Sequence, residues 1–324
     1  MASDKVSKII IVFMGQMFNL LLLFLLTPYL SRSLSKHEFG TFSQVQLLST
    51  LIVAIFSLGL SRIFYLVIEK REFEKKDAFK TIMFMAFILG LAGSIASFFS
   101  SPLWAILLKN PYIQLPLTIY APFFLLNSLN LLLELTLIHK GLIRRDMTII
   151  IASNILKLGL LLLSIQIWRS FTFIFWIIGT IAPLAQTIMY LFSIPLREFF
   201  EGTLRKHIYK FIIKIGLPLG VTGVLAASYT YLAGFFVSNM FNTEDFAIYR
   251  NGSFEIPFLG IIATSVASIL TPQFANLLAE GKREEVARLK TLSISEVAAI
   301  SYPIIFVILF LQKTWLCCTS LKSM

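Results

Sequence analysis

Three cations and a few amides interrupt otherwise apolar runs, and their spacing is helical. Asn127, Asn130 and Glu134 recur at i, i+3 and i+7, and Asn154 and Lys157 at i and i+3, so each run carries one polar stripe. Gln16 and Asn19 repeat the i, i+3 spacing, while Arg62, Lys214, Thr222 and Tyr229 punctuate other runs. Fixed cations in apolar surroundings attract an anionic group, amides offer hydrogen bonds to a polar one, and a lone carboxylate can take up a proton or sodium ion. No catalytic constellation accompanies them. His37, His139 and His207 are far apart and give no metal pair, and Cys317 and Cys318 are adjacent, a spacing that fits neither a disulfide framework nor a zinc site. The chain has no GxxxxGK[ST] loop and no GxGxxG, so no resident nucleotide site is expected. Catalytic residues, a metal and a cofactor are all expected to be absent.

The elements that position these residues follow from composition. Of 324 residues 57% are hydrophobic and 14% charged, with a mean hydropathy of +0.83, against about 25% charged in a soluble domain. Such a chain belongs in a bilayer, whose ~30 Å hydrocarbon core takes about 20 apolar residues per helix. Nine apolar runs recur, at roughly 8–30, 42–64, 79–99, 114–137, 147–167, 172–194, 211–238, 254–278 and 295–313. The fold class is therefore all-α, a polytopic membrane protein of about nine spans. Lys5 and Lys8 precede the first run, which is too long for a signal peptide and lacks a small-x-small cleavage site, so it reads as an uncleaved helix. Counting lysines and arginines by loop puts about nineteen on the side of the N-terminus and about seven on the other, alternating at every loop. The N-terminus is thus expected in the cytoplasm. The net charge of +11 then belongs to loops facing anionic lipid rather than to a nucleic-acid surface.

Depth distinguishes the charged residues. Lys157 lies about ten residues into its run, too far for its ~6 Å stem to reach the interface, which favours a water-filled cavity. Arg62 and Glu134 lie near the inner ends of theirs, where snorkelling and helix packing are the plain alternatives. The short loop after residue 139 sets Lys157 level with Asn127, and Glu134 about six residues deeper, roughly 9 Å at 1.5 Å per residue. A static Lys157–Glu134 pair would be strained. The stripes read either as a polar path or as amides joining neighbouring helices. Prolines 28, 122, 183, 218, 257, 272 and 303 fall within spans and suit a bundle that bends.

Organisation shows in a linker and a repeat. Arg197 to Lys210 places Phe200, Leu204 and Ile208 at i, i+4 and i+8 among charges, the pattern of an amphipathic helix on the membrane surface. Leu34-Ser35-Lys36-His37-Glu38-Phe39-Gly40-Thr41-Phe42 is echoed by Phe241-Asn242-Thr243-Glu244-Asp245-Phe246-Ala247-Ile248-Tyr249. Residues 1–196 are accordingly expected to form a six-helix lobe, 197–210 a linker, and 211–324 about three helices of a second lobe. The offset of about 207 residues would carry a full second lobe past residue 400, so the chain reads as shortened.

The segment Leu34 to Ser43, together with Phe246-Ala247-Ile248-Tyr249-Arg250 leading through Pro272-Gln273-Phe274 to Glu280-Gly281-Lys282, resembles the polysaccharide-biosynthesis transporters. These are the O-antigen and repeat-unit flippases of the multidrug/oligosaccharidyl-lipid/polysaccharide exporter superfamily. The resemblance implies two lobes around a cavity that opens to each side in turn. It implies a polyprenyl-diphosphate-linked oligosaccharide as cargo, the bacterial cytoplasmic membrane as location, and polysaccharide assembly proteins and membrane lipids as partners. On that reading Lys157, Arg62 and Lys214 are candidates for the cargo's diphosphate, Gln16, Asn19, Asn127, Asn130 and Asn154 line the cavity, and Glu134 couples transport to a proton or sodium gradient. Against it stand a cation-coupled drug or metabolite exporter of the same superfamily, an enzyme acting on lipid-linked sugars, which the short outer loops disfavour, and an inactive remnant.

Overall fold

Among the described residues of the computed structural model, six helical stretches are long and apolar enough to cross a membrane: Lys36–Ile68, Lys75–Leu107, Pro122–His139, Ile143–Ile167, Phe171–Ser193 and Lys206–Tyr229. The structure describes residues 18, 26–70, 72–168, 170–195, 197, 201–253 and 282–319, and these contain helices and turns but no strand. The first and eighth expected runs lie largely or wholly outside the described residues. The ninth falls within a helix over Arg283–Thr319.

Helix α1, Lys36–Phe56, starts from a capping box in which Glu38 N donates to Ser35 Oγ at 3.2 Å and Ser35 N to Glu38 Oε2 at 2.9 Å. It breaks at Leu58 and Gly59, with φ of 44° and 62°, and resumes as α2, Leu60–Ile68. Helix α3 is Lys75–Leu107, followed by α4, Gln114–Tyr120, and α5, Pro122–His139, which divide the fourth expected run where Pro122 begins a new helix. Helix α6 is Ile143–Leu163, extended by a π turn at Ser164–Trp168. Helix α7, Phe171–Trp176, passes through a π turn at Ile177–Ile181 into α8, Ala182–Ser193. The widened turn precedes Pro183, which has no N–H to give to the carbonyl four residues back. Helix α9 is Lys206–Met240, α10 Thr243–Gly252 and α11 Arg283–Thr319.

Contacts divide the chain into one unit of residues 1–250 with 321–324 and another of 251–320. In the first, α3 lies along α5, α8 packs against both α5 and α6, and α9 runs along α1 and α2. One core joins Phe64, Val67, Ile82, Leu133, Leu137, Tyr190, Ile208 and Ile212, and a second joins Leu48, Ile113, Leu117, Tyr120, Phe175 and Phe246. Large apolar side chains also stand on the outside: Phe192 is 89% exposed, Phe99 75% and Ile106 74%. Large side chains on the outside require hydrocarbon rather than water as solvent.

Two expectations change. The helices overrun the apolar runs, beginning at Lys36, Lys75 and Lys206, because hydropathy marks the hydrocarbon crossed and not where backbone hydrogen bonding stops. The amphipathic helix expected over 197–210 is interrupted: residues 201–205 are non-helical, with Gly202 at φ 85°, and Ile208 belongs to the long α9. Phe200 lies outside the described residues.

Three of the loops expected to share a side do so. His139 meets Glu69 at 3.2 Å and Lys76 meets Glu201 at 2.6 Å at one end of the bundle, the end assigned to the cytoplasm by charge. At the other end His37, Tyr112 and Phe171 line one groove of about 860 Å³. The two copies of the repeated segment also meet there. Each opens a helix, α1 behind Ser35 and α10 behind Asn242, whose Oδ1 accepts from Asp245 N at 2.7 Å. Gly40 lies against the carbonyl of Thr243, leaving no room for a Cβ.

Candidate functional site

The break between α1 and α2 brings one candidate cation onto α9. Gly216 and Gly220 of α9 pack on Leu58, so close that a Cβ on either would stand about 3 Å from its backbone. This approach carries Arg62 to α9, where Nη1 donates to Thr222 Oγ1 at 2.9 Å and to Leu219 O at 3.3 Å. Both acceptors are neutral. Lys214 lies two turns earlier on α9 and is exposed, and Lys157 is half-buried midway along α6. None of the three has an ion pair among the described residues, and no contact joins Lys157 to the other two or to Glu134.

The amides divide. Asn130 is buried, its Nδ2 donates to Pro183 O at 3.0 Å and its Oδ1 accepts from Thr187 Oγ1 at 2.8 Å. Its expected place in a cavity wall is corrected on this geometry: it fastens α5 to the start of α8, the interhelical role that the stripe left open. Asn127 faces the α1–α2 break and lines a cavity of about 30 Å³ with Phe56, Ser57, Leu60 and Ser128, the size of a single water site. Asn154 is half-buried on α6. Gln16 and Asn19 lie outside the described residues.

Three groups of residues escaped sequence reasoning. Asp146, in the first turn of α6, is wholly buried, and Tyr190 of α8 donates its hydroxyl to Asp146 Oδ1 at 2.9 Å. Written as Arg144-Arg145-Asp146 it reads as a loop charge; extending the Asn154/Lys157 stripe back through Ser153 reaches it. At the opposite end Asn110 Nδ2 donates to Thr41 Oγ1 at 2.9 Å and Gln44 Oε1 at 2.6 Å, and Gln44 Nε2 to Ser238 Oγ at 2.8 Å. This buried network ties α1, the loop before α4 and α9 together. Finally, the 201–205 connection is fastened to the start of α3. Asp77 accepts from Thr203 N at 2.6 Å and Arg205 Nε at 2.8 Å, and Lys80 donates to Gly202 O at 3.0 Å. The hydrogen bond from Lys76, reinforced by Arg197, holds the Glu201 carboxyl below the usual carboxylate range, and Asp77 pushes the Arg205 guanidinium up.

The geometry is that of a helical bundle with a strongly apolar outer surface, and the comparisons agree. A family model described as "Polysaccharide biosynthesis protein" matches residues 29–318. The chain belongs to that family. Among solved structures it is similar to the MATE multidrug transporter DinF-BH, solved as a complex, with a TM-score of 0.65 at 14% identity, over 97% of this chain and 77% of that one. At that identity the likeness is one of fold. No curated protein matches the chain. The family read from residues 34–43 and 246–282 is thereby borne out, and the member described here is a multi-pass membrane protein, helical in its described residues, with a fold similar to that of a multidrug transporter.

Proposed function

We propose that this family member is a flippase, moving a polyprenyl-diphosphate-linked oligosaccharide from the inner to the outer leaflet of a bacterial cytoplasmic membrane for O-antigen or other surface polysaccharide synthesis. The observation that carries the reading is Lys157, a half-buried lysine at mid-span with no carboxylate partner among the described residues. A mid-membrane charge is costly and is kept where it meets an opposite one, and a diphosphate supplies it. Arg62, bonded only to neutral oxygens, and Lys214 extend the positive path along α9. The chain acts by alternating access through about nine spans, residues 1–196 forming a six-helix lobe, with its N-terminus in the cytoplasm and without a bound cofactor. Cargo, membrane lipids and polysaccharide assembly proteins are its partners.

Complementation of a flippase-deficient strain tests this. Lys157→Ala abolishes surface glycan display while membrane insertion stays normal; unchanged display refutes the assignment of Lys157 as a cargo contact. A shifted drug-susceptibility profile with unchanged glycan would instead identify a drug exporter.

A further inference from the structure

Asp146 stands at the junction of α5, α6 and α8 with no surface accessible to solvent. Its Oδ1 accepts the Tyr190 hydroxyl at 2.9 Å, and its Oδ2 is equally buried and meets no hydrogen-bond donor among the described residues. The neighbours bring no positive charge. Helix α5 contributes Glu134, half-buried and within electrostatic range of Asp146, α2 contributes Tyr65, and α8 contributes Tyr190. On α6 itself Arg144 and Arg145 are exposed, and neither has an ion pair with Asp146 among the described residues. The nearby His139 is held by Glu69 at 3.2 Å. Two acids thus lie within electrostatic range of each other, one sealed from water, and neither has an ion pair among the described residues.

We propose that Asp146 and Glu134 form a proton-binding site at this end of the bundle, holding one proton on the Asp146 carboxyl. Hard metal ions gather about six oxygen ligands, whereas among the described residues no third acid, histidine or cysteine joins this pair of carboxylates, so a proton is the occupant that fits. Uptake takes the proton from water at the loop end and removes one negative charge from the junction. Release restores that charge, and repulsion between Glu134 and Asp146 loosens α5 from α6. The inference goes beyond the proposed cargo and does not depend on it.

Infrared difference spectra of the purified full chain in lipid nanodiscs, recorded across a pH titration, test it directly. The expected result is a carboxylic-acid C=O band that titrates as one proton per chain, is lost in Asp146→Asn, changes frequency in Tyr190→Phe and titrates at a different midpoint in Glu134→Gln. Lys157→Ala leaves the band unchanged, which separates this site from the cargo path. A band indifferent to both Asp146→Asn and Tyr190→Phe overturns the proposal, as does its loss on adding sodium at constant pH, which would mark a sodium site. Should Asp146→Asn fail to give a monodisperse protein, Tyr190→Phe decides the question, since it keeps the ring packing and removes only the hydroxyl.

Discussion

Asn127, Asn130 and Glu134 share a stripe on α5, yet each meets a different environment: a small cavity, a proline carbonyl and a buried aspartate. Period predicts the face of a helix, not what stands opposite it, so the stripe was legible and the three fates were not. They have different consequences. Asn130→Ala removes two buried hydrogen bonds between α5 and α8 and leaves Thr187 Oγ1 and the Pro183 carbonyl bonded only to each other, which costs about 1–3 kcal/mol; thermal unfolding of the purified protein should show a lowered Tm. Asn127→Ala should leave the Tm nearly unchanged. At Lys157 charge rather than shape is at stake, so Lys157→Arg should retain more glycan display than Lys157→Ala.

The helices themselves were readable because an apolar run of membrane length has one backbone solution. Their ends were not, since Ser35 and Glu38 close a capping box outside the apolar run. Ser35→Ala should cost about 1 kcal/mol of α1 stability, read as faster amide exchange in its first turn. The 201–205 connection escaped for another reason: its amphipathic spacing is genuine, but Gly202 and the acceptors of Asp77 favour an extended tether over a helix. Glu201 titrates at a depressed value in the folded chain, so its share of the tether is present above the ordinary carboxylate range and lost as pH falls through that lower value. Amide exchange at 201–205 should therefore accelerate on acidification, and Lys76→Ala should move the onset to higher pH.

Within residues 36–250, the alternation of basic loops foretold which connections share an end, and the repeat foretold two helices opened alike. That the copies touch, Gly40 against Thr243, is beyond pattern reading, because a repeat says how segments resemble each other and not where they meet. Around that contact sits the network of Asn110, Thr41, Gln44 and Ser238, joining residues 194 positions apart. A short thiol crosslinker between Gln44→Cys and Ser238→Cys, in a chain with Cys317→Ser and Cys318→Ser, should abolish glycan display, while each single variant retains it.

The makeup of that network also governs how easily this end can part. Leucines pulled from one another into water forfeit about 25 cal/mol for every Å² uncovered, with nothing returned. Amides and hydroxyls exchange their partners for water, and each bond broken costs only about 0.5–1.5 kcal/mol net. A seam whose three bonds join Asn110, Gln44, Thr41 and Ser238 therefore favours the shut state by only about 1.5–4.5 kcal/mol, so a modest stimulus can open it and it closes again without help.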